Sequence, residues 1–83
     1  YTVYVICGRD RQAEVHERLI ELLEEASYPA RAVDQHPFGQ NDAEIGATLY
    51  ATAVVPEQLD EVTARLEATP GVVQAFWNAS AEE

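Results

Sequence analysis

The sequence predicts an α+β sandwich, one four-stranded antiparallel sheet with two helices on one face. Three observations predict it. Four short runs carry strand composition, at Tyr1–Cys7, Pro29–His36, Glu44–Val55 and Val72–Trp77. Two intervening segments repeat apolar residues at spacings of three and four. The resulting order is strand, helix, strand, strand, helix, strand, a rough twofold repetition of a βαβ unit that right-handed crossovers close into one sheet. This is the ferredoxin-like βαββαβ arrangement.

The first strand, YTVYVIC, is β-branched and aromatic, largely apolar on both faces, and stops at Gly8. Asp10 is the expected N-cap of a helix over Arg11–Ala26, its carboxylate free to accept a first-turn N–H. In that helix Val15, Leu19, Leu22, Leu23 and Ala26 form one stripe, and Glu14, Glu17, Glu21, Glu24 and Glu25 fall opposite it. The polar run PARAVDQH suits a strand at the edge of a sheet. The turn formers Pro37–Asp42 lead into EIGATLYATAVV, where Ile45, Ala47, Leu49, Ala51 and Ala53 alternate with Gly46, Thr48, Tyr50, Thr52 and Val54. Pro56 opens a second helix lined by Leu59, Val62 and Leu66 and running to about Ala68. Pro70-Gly71 breaks it before VVQAFW.

With 83 residues the chain has room for one core, and a domain of this size buries roughly 60% of its unfolded surface. Residues 1–78 are expected to form a single domain and residues 79–83 a frayed acidic tail. The chain starts at Tyr1 and has no methionine, so it is expected to be a domain cut from a longer protein.

Charge excludes several partners. Fifteen acidic residues against five basic ones, all arginine, give a net charge of -10. Such a surface repels phosphate backbones and anionic headgroups, so neither nucleic acid nor a membrane surface is an expected partner. No run approaches the roughly 20 apolar residues of a membrane span. The lone Cys7 sits in an apolar run and reads as a reduced, buried thiol in a reducing cytoplasm.

No constellation of catalytic residues emerges, and the domain is not expected to be an enzyme or to hold a cofactor. Ser27 and Ser80 lack a spaced histidine, and CGRDRQ does not reproduce the arginine loop of an acylphosphatase. No metal site is expected. Cys7 and His36 end their strands, which this reading places at opposite edges of the sheet, roughly 20 Å apart at about 3.3 Å per residue. His16 lies beside the apolar stripe of the first helix, and no CxxC is present. The acidic helix face reads as solvated, with Arg18 positioned to pair with Glu14 and Glu21. Asn78-Ala79-Ser80 matches a glycosylation acceptor, a weak three-residue signal.

If Val3, Val5, Leu49 and Trp77 point toward the helices, Tyr4, Ile6, Thr48, Tyr50 and Phe76 point away from them. Those five residues are the candidate interaction face. Tyr4 and Tyr50 suggest a base-stacking platform, but the charge is wrong and the basic, glycine-aromatic pattern is missing. Protein is the expected partner, either another protein or a second copy in a homodimer.

YTVYVIC, the helix from near Gln12, EIGATLYATAV and above all LDEVTARLEATPGVVQAFW resemble the C-terminal domain of the MgtC/SapB family over nearly the whole chain. The resemblance implies an ACT-like fold and a soluble cytoplasmic domain behind a membrane-embedded N-terminal domain in the bacterial inner membrane. It also implies a link to growth at low magnesium and, in intracellular pathogens, to survival and virulence, with no known catalytic activity. No functional residue carries over from it. A second reading is an amino-acid-sensing ACT module of a soluble enzyme or regulator. Such modules carry a Pro-Gly-Leu-like turn after the first strand, where this chain has Gly8, Arg9, Asp10 and Arg11.

Overall fold

A central strand is flanked by a neighbour on each side and buries more of its surface than an edge strand, and the most apolar run of the chain takes that position. In a computed structural model describing residues 1–79, β1 (Thr2–Gly8) lies between β3 (Asp42–Leu49) and β4 (Val72–Asn78). The polar β2 (Ala30–Phe38) is an edge, giving the order β2-β3-β1-β4 with every neighbouring pair antiparallel. Helices α1 (Gln12–Glu25) and α2 (Pro56–Glu67) supply the second layer. This is the predicted ferredoxin-like sandwich, each half's two strands separated by one strand of the other half.

Register decides which residues meet the helices. Val3 faces Ala47 and Trp77, and Val5 faces Ile45 and Ala75. These side chains join the helix stripes in a core where Val3, Val5, Cys7, Val15, Leu19, Leu23, Ile45, Leu59 and Leu66 are fully buried. Each large aliphatic side chain so buried contributes about 1.5–3 kcal/mol of transfer free energy.

The element ends depart from expectation in three places. Asp10 is not the N-cap of α1: it lies in a 3₁₀ turn, Arg9–Arg11, and Arg11 occupies the cap without a side-chain cap bond. The chain tightens before the helix begins. The third strand ends at Leu49, not Val55. Leu49 is already level with Ala30, the first residue of β2, so the hairpin ladder ends there and the later alternation has no β2 partner to join. The hairpin turn is only Gly39–Asn41, with Gly39 at φ 69°, because Pro37 and Phe38 remain in β2.

Helix α1 closes through a Schellman motif. The N–H of Ser27 bonds the Glu24 carbonyl at 3.0 Å and the N–H of Tyr28 bonds the Leu23 carbonyl at 2.8 Å. Ser27 takes the left-handed conformation at φ 66°, and Tyr28 is delivered into the core.

Candidate functional site

The sheet face away from the helices is built by the even-numbered residues of the four strands, except Ala30 of β2 and Val72 of β4, which the register shifts turn toward the core. Along the central strands it presents Thr2, Tyr4 and Ile6 on β1 beside Glu44, Gly46 and Thr48 on β3. Gln74 and Phe76 flank them on β4, and Asp34 and His36 flank them on β2. Tyr4 and Phe76 are direct partners across β1 and β4, their rings stacked with centroids 5.2 Å apart and an interplanar angle of 26°. Gly46 is the cross-strand neighbour on the other side. A Cβ there would lie 3.3 Å from Tyr4 Cε1, so the missing side chain gives the Tyr4 ring its place.

Of the five residues expected on this face, four lie on it. Tyr4, Thr48 and Phe76 are half-buried, and Ile6, set between Glu44 and Gln74, keeps only 5% exposure. Tyr50 does not belong to the sheet. It follows the end of β3 in a bend, 65% exposed, and lines a shallow depression with Tyr1, Arg31 and Thr52. Sequence reasoning missed Gly46 as the seat of Tyr4 and missed the share of the face that β2 supplies. The phase of the β2–β3 hairpin, had the short turn been recognised, contains both.

The electrostatics leave little for ligand chemistry. Arg11 pairs with Glu14 at 3.1 Å, Arg18 with Glu21 at 3.1 Å and Arg65 with Glu61 at 3.0 Å, all on exposed helix surface. Arg18 thus pairs with Glu21, while Glu14 pairs with Arg11. Arg9 Nε donates to the Asp42 carbonyl at 3.2 Å, which ties the 3₁₀ turn to the start of β3. These bonds engage two arginines of the loop where an ACT module would bind its effector.

Cys7 and His36 are not at opposite edges of the sheet. Cys7 pairs with Ala43 and His36 with Glu44, so both lie toward one end, two strand spacings apart, roughly 10 Å. Their separation arises from facing: Cys7 points into the core and His36 to the open face. Among the described residues no three histidine, cysteine or carboxylate side chains converge as a metal site. The Cys7 thiol is pushed above its ordinary pKa, first by burial and then by the carboxylates of Asp42 and Asp10. It is therefore a protonated, sheltered thiol at neutral pH. Ser80 of the glycosylation match and most of the expected tail fall outside the described residues.

A family model described as the MGTC/SAPB C-terminal domain matches residues 1–77. The chain belongs to this family. Among solved structures, this MgtC/SapB domain is similar to one titled "Solution structure of the C-terminal domain of the MgtC protein from Mycobacterium tuberculosis". The two share 25% identity and a TM-score of 0.84, over 98% of this chain and 90% of that one. A search of curated proteins gave no match. The chain is thus a domain of an MgtC-type protein, a C-terminal domain that is not a known catalytic unit. None of the described helices is long and apolar enough to cross a membrane.

Proposed function

We propose that this chain is a non-catalytic regulatory and interaction domain of an MgtC-type membrane protein, on the cytoplasmic side of the bacterial inner membrane. The observation that carries the reading is the Tyr4–Phe76 stack, two aromatic rings held side by side on the sheet face opposite α1 and α2. A half-buried aromatic pair on a preformed strand surface is a contact element with little conformational entropy left to lose on binding. The net charge of -10 favours a partner surface that is apolar at its centre with basic residues at its rim. The family's association with growth in low magnesium and with intracellular survival would reach this domain through that contact.

The test is growth of a strain carrying the parent protein in low magnesium, with Phe76→Asp compared against Tyr50→Asp at equal protein level. Phe76→Asp breaks the stack and is expected to lose complementation. Tyr50→Asp lies off the sheet and is expected to keep it. Equal growth of the two strains would remove the open face from function.

A further inference from the structure

The five arginines of the chain are not equivalent. Arg11, Arg18 and Arg65 each hold a glutamate, and Arg9 donates to the Asp42 carbonyl. Arg31 makes neither kind of bond among the described residues. It is also the residue that the ladder leaves out. Ala30 pairs with Leu49 and Ala32 with the adjacent Thr48, so Arg31 is the extra residue of a β-bulge. A bulge takes its residue out of the pairing and re-aims the side chain, and such irregularities gather at sheet edges and beside active sites.

The guanidinium borders the depression at the end of the sheet where β1 begins and β3 ends, a hollow of about 460 Å³ lined also by Tyr1, Thr48, Leu49, Ala51 and Thr52. Charge is distributed unevenly around it. The stretches that supply its lining, residues 1–8, 27–33, 45–56 and 70–79, contain one charged side chain, Arg31, so the acids behind the net charge of -10 lie elsewhere in sequence. The neighbouring hydroxyls are uncommitted too. Among the described residues the threonines that donate within the chain are Thr63 and Thr69, which leaves Thr48 and Thr52 with donors to offer.

We propose that this depression binds the phosphate group of a small soluble ester, the Arg31 guanidinium taking two of its oxygens and the hydroxyls of Thr48, Thr52 and Tyr1 completing the contact. A guanidinium fork matches two phosphate oxygens at once. With three hydroxyls beside that fork, the donors exceed the about four lone-pair sites of a carboxylate, whereas the terminal oxygens of a phosphate accept them all. The source is a dissolved ester and not a bilayer. An anionic bilayer meets the whole acidic molecule, while a small ester meets only the ground within about one Debye length of Arg31, roughly 8 Å at physiological salt. The site lies at the opposite end of β1 from the loop where an ACT module takes its effector, and it stands whether or not the open face meets another protein.

Titration of the isotope-labelled 83-residue chain with glycerol phosphate, followed by amide chemical shifts at constant ionic strength, tests it. Saturable shifts centred on Arg31, Leu49 and Thr52 are expected, half complete on the order of 1 mM. The same titration is run on the variant Glu82→Gln with Glu83→Gln, which lacks the carboxylates that follow Ala79 in sequence, and no saturation in either chain overturns the proposal. Arg31→Gln, whose amide spectrum away from the depression reports that it folds, is expected to weaken binding by about tenfold or more. Arg18→Gln removes an equal charge from a paired site and is expected to leave binding unchanged; equal weakening by the two would reduce the effect to net charge and overturn the site. Acetate is expected to bind about tenfold more weakly than the ester, and equal binding overturns the choice of phosphate. Phosphatidylglycerol vesicles present the same group on a bilayer, and binding to them without a response to glycerol phosphate overturns the soluble source.

Discussion

The Tyr28 hydroxyl accepts the backbone N–H of Val55 at 2.9 Å and donates to Gln58 Oε1 at 2.5 Å, joining the end of α1 to the start of α2. Val55 is the N-cap of α2 and has no side chain able to cap, while Gln58 stands at the third helical position. In a capping box that glutamine would reach the N-cap N–H itself. Here the phenol stands between them. Tyr28→Phe keeps the ring in the core and removes both bonds, so it is expected to lower the unfolding free energy by about 1–2 kcal/mol. Urea denaturation measures this, and an unchanged midpoint would mean that water replaces the phenol.

Gly71 joins α2 to β4 at φ 93°, a conformation that L side chains rarely adopt. A Cβ there would also meet Arg11 Cγ at 2.6 Å, at the point where Arg11 caps α1 and pairs with Glu14. Gly71→Ala is therefore expected to cost about 1–3 kcal/mol through strain and displacement of Arg11 together. A thermal melt within error of wild type would show that the turn reshapes freely.

The layout of the fold was legible because its largest energy terms are written locally. The Val15, Leu19, Leu22, Leu23 stripe and the Pro56 start of α2 need no tertiary knowledge, and all four stripe residues are buried. What was misplaced depends on partners. The alternation of Ala51, Thr52 and Ala53 is strand-like, yet among the described residues no strand lies beside it, and Tyr50 leaves the sheet. Asp10 has the chemistry of a cap but is drawn into the 3₁₀ turn. The Tyr4–Phe76 stack joins strands 72 positions apart in sequence, and only the register of β1 against β4 reveals it.

Cys7 gives the domain an alkaline weakness. Its thiol is fully buried, and burial with the nearby Asp42 and Asp10 raises its pKa above the ordinary thiol value in the folded state. The unfolded chain ionises first, so it holds fewer protons than the native state once pH passes about 9, and stability falls as pH rises further. Below that pH both states keep the proton and the contribution is constant. Cys7→Ala removes the thiol, and a plot of unfolding free energy against pH is expected to be shallower for it above pH 9 than for wild type. Parallel plots would show that the thiolate is tolerated in the core.

The acidic face of α1 is expected to give no specific response to Mg²⁺. Glu17 and Glu21 are exposed, Glu21 is engaged by Arg18 at 3.1 Å, and no metal-binding cluster forms among the described residues. Mg²⁺ demands near-octahedral oxygen geometry and gives up its waters reluctantly, which mobile side chains on one helix face do not repay. Replacing Glu17 and Glu21 with glutamine should therefore leave a calorimetric Mg²⁺ titration unchanged, apart from the weak screening common to any anionic surface. A saturable heat in the wild type that disappears in the double variant would place a cation on α1, and would tie this domain to magnesium directly instead of through a protein contact.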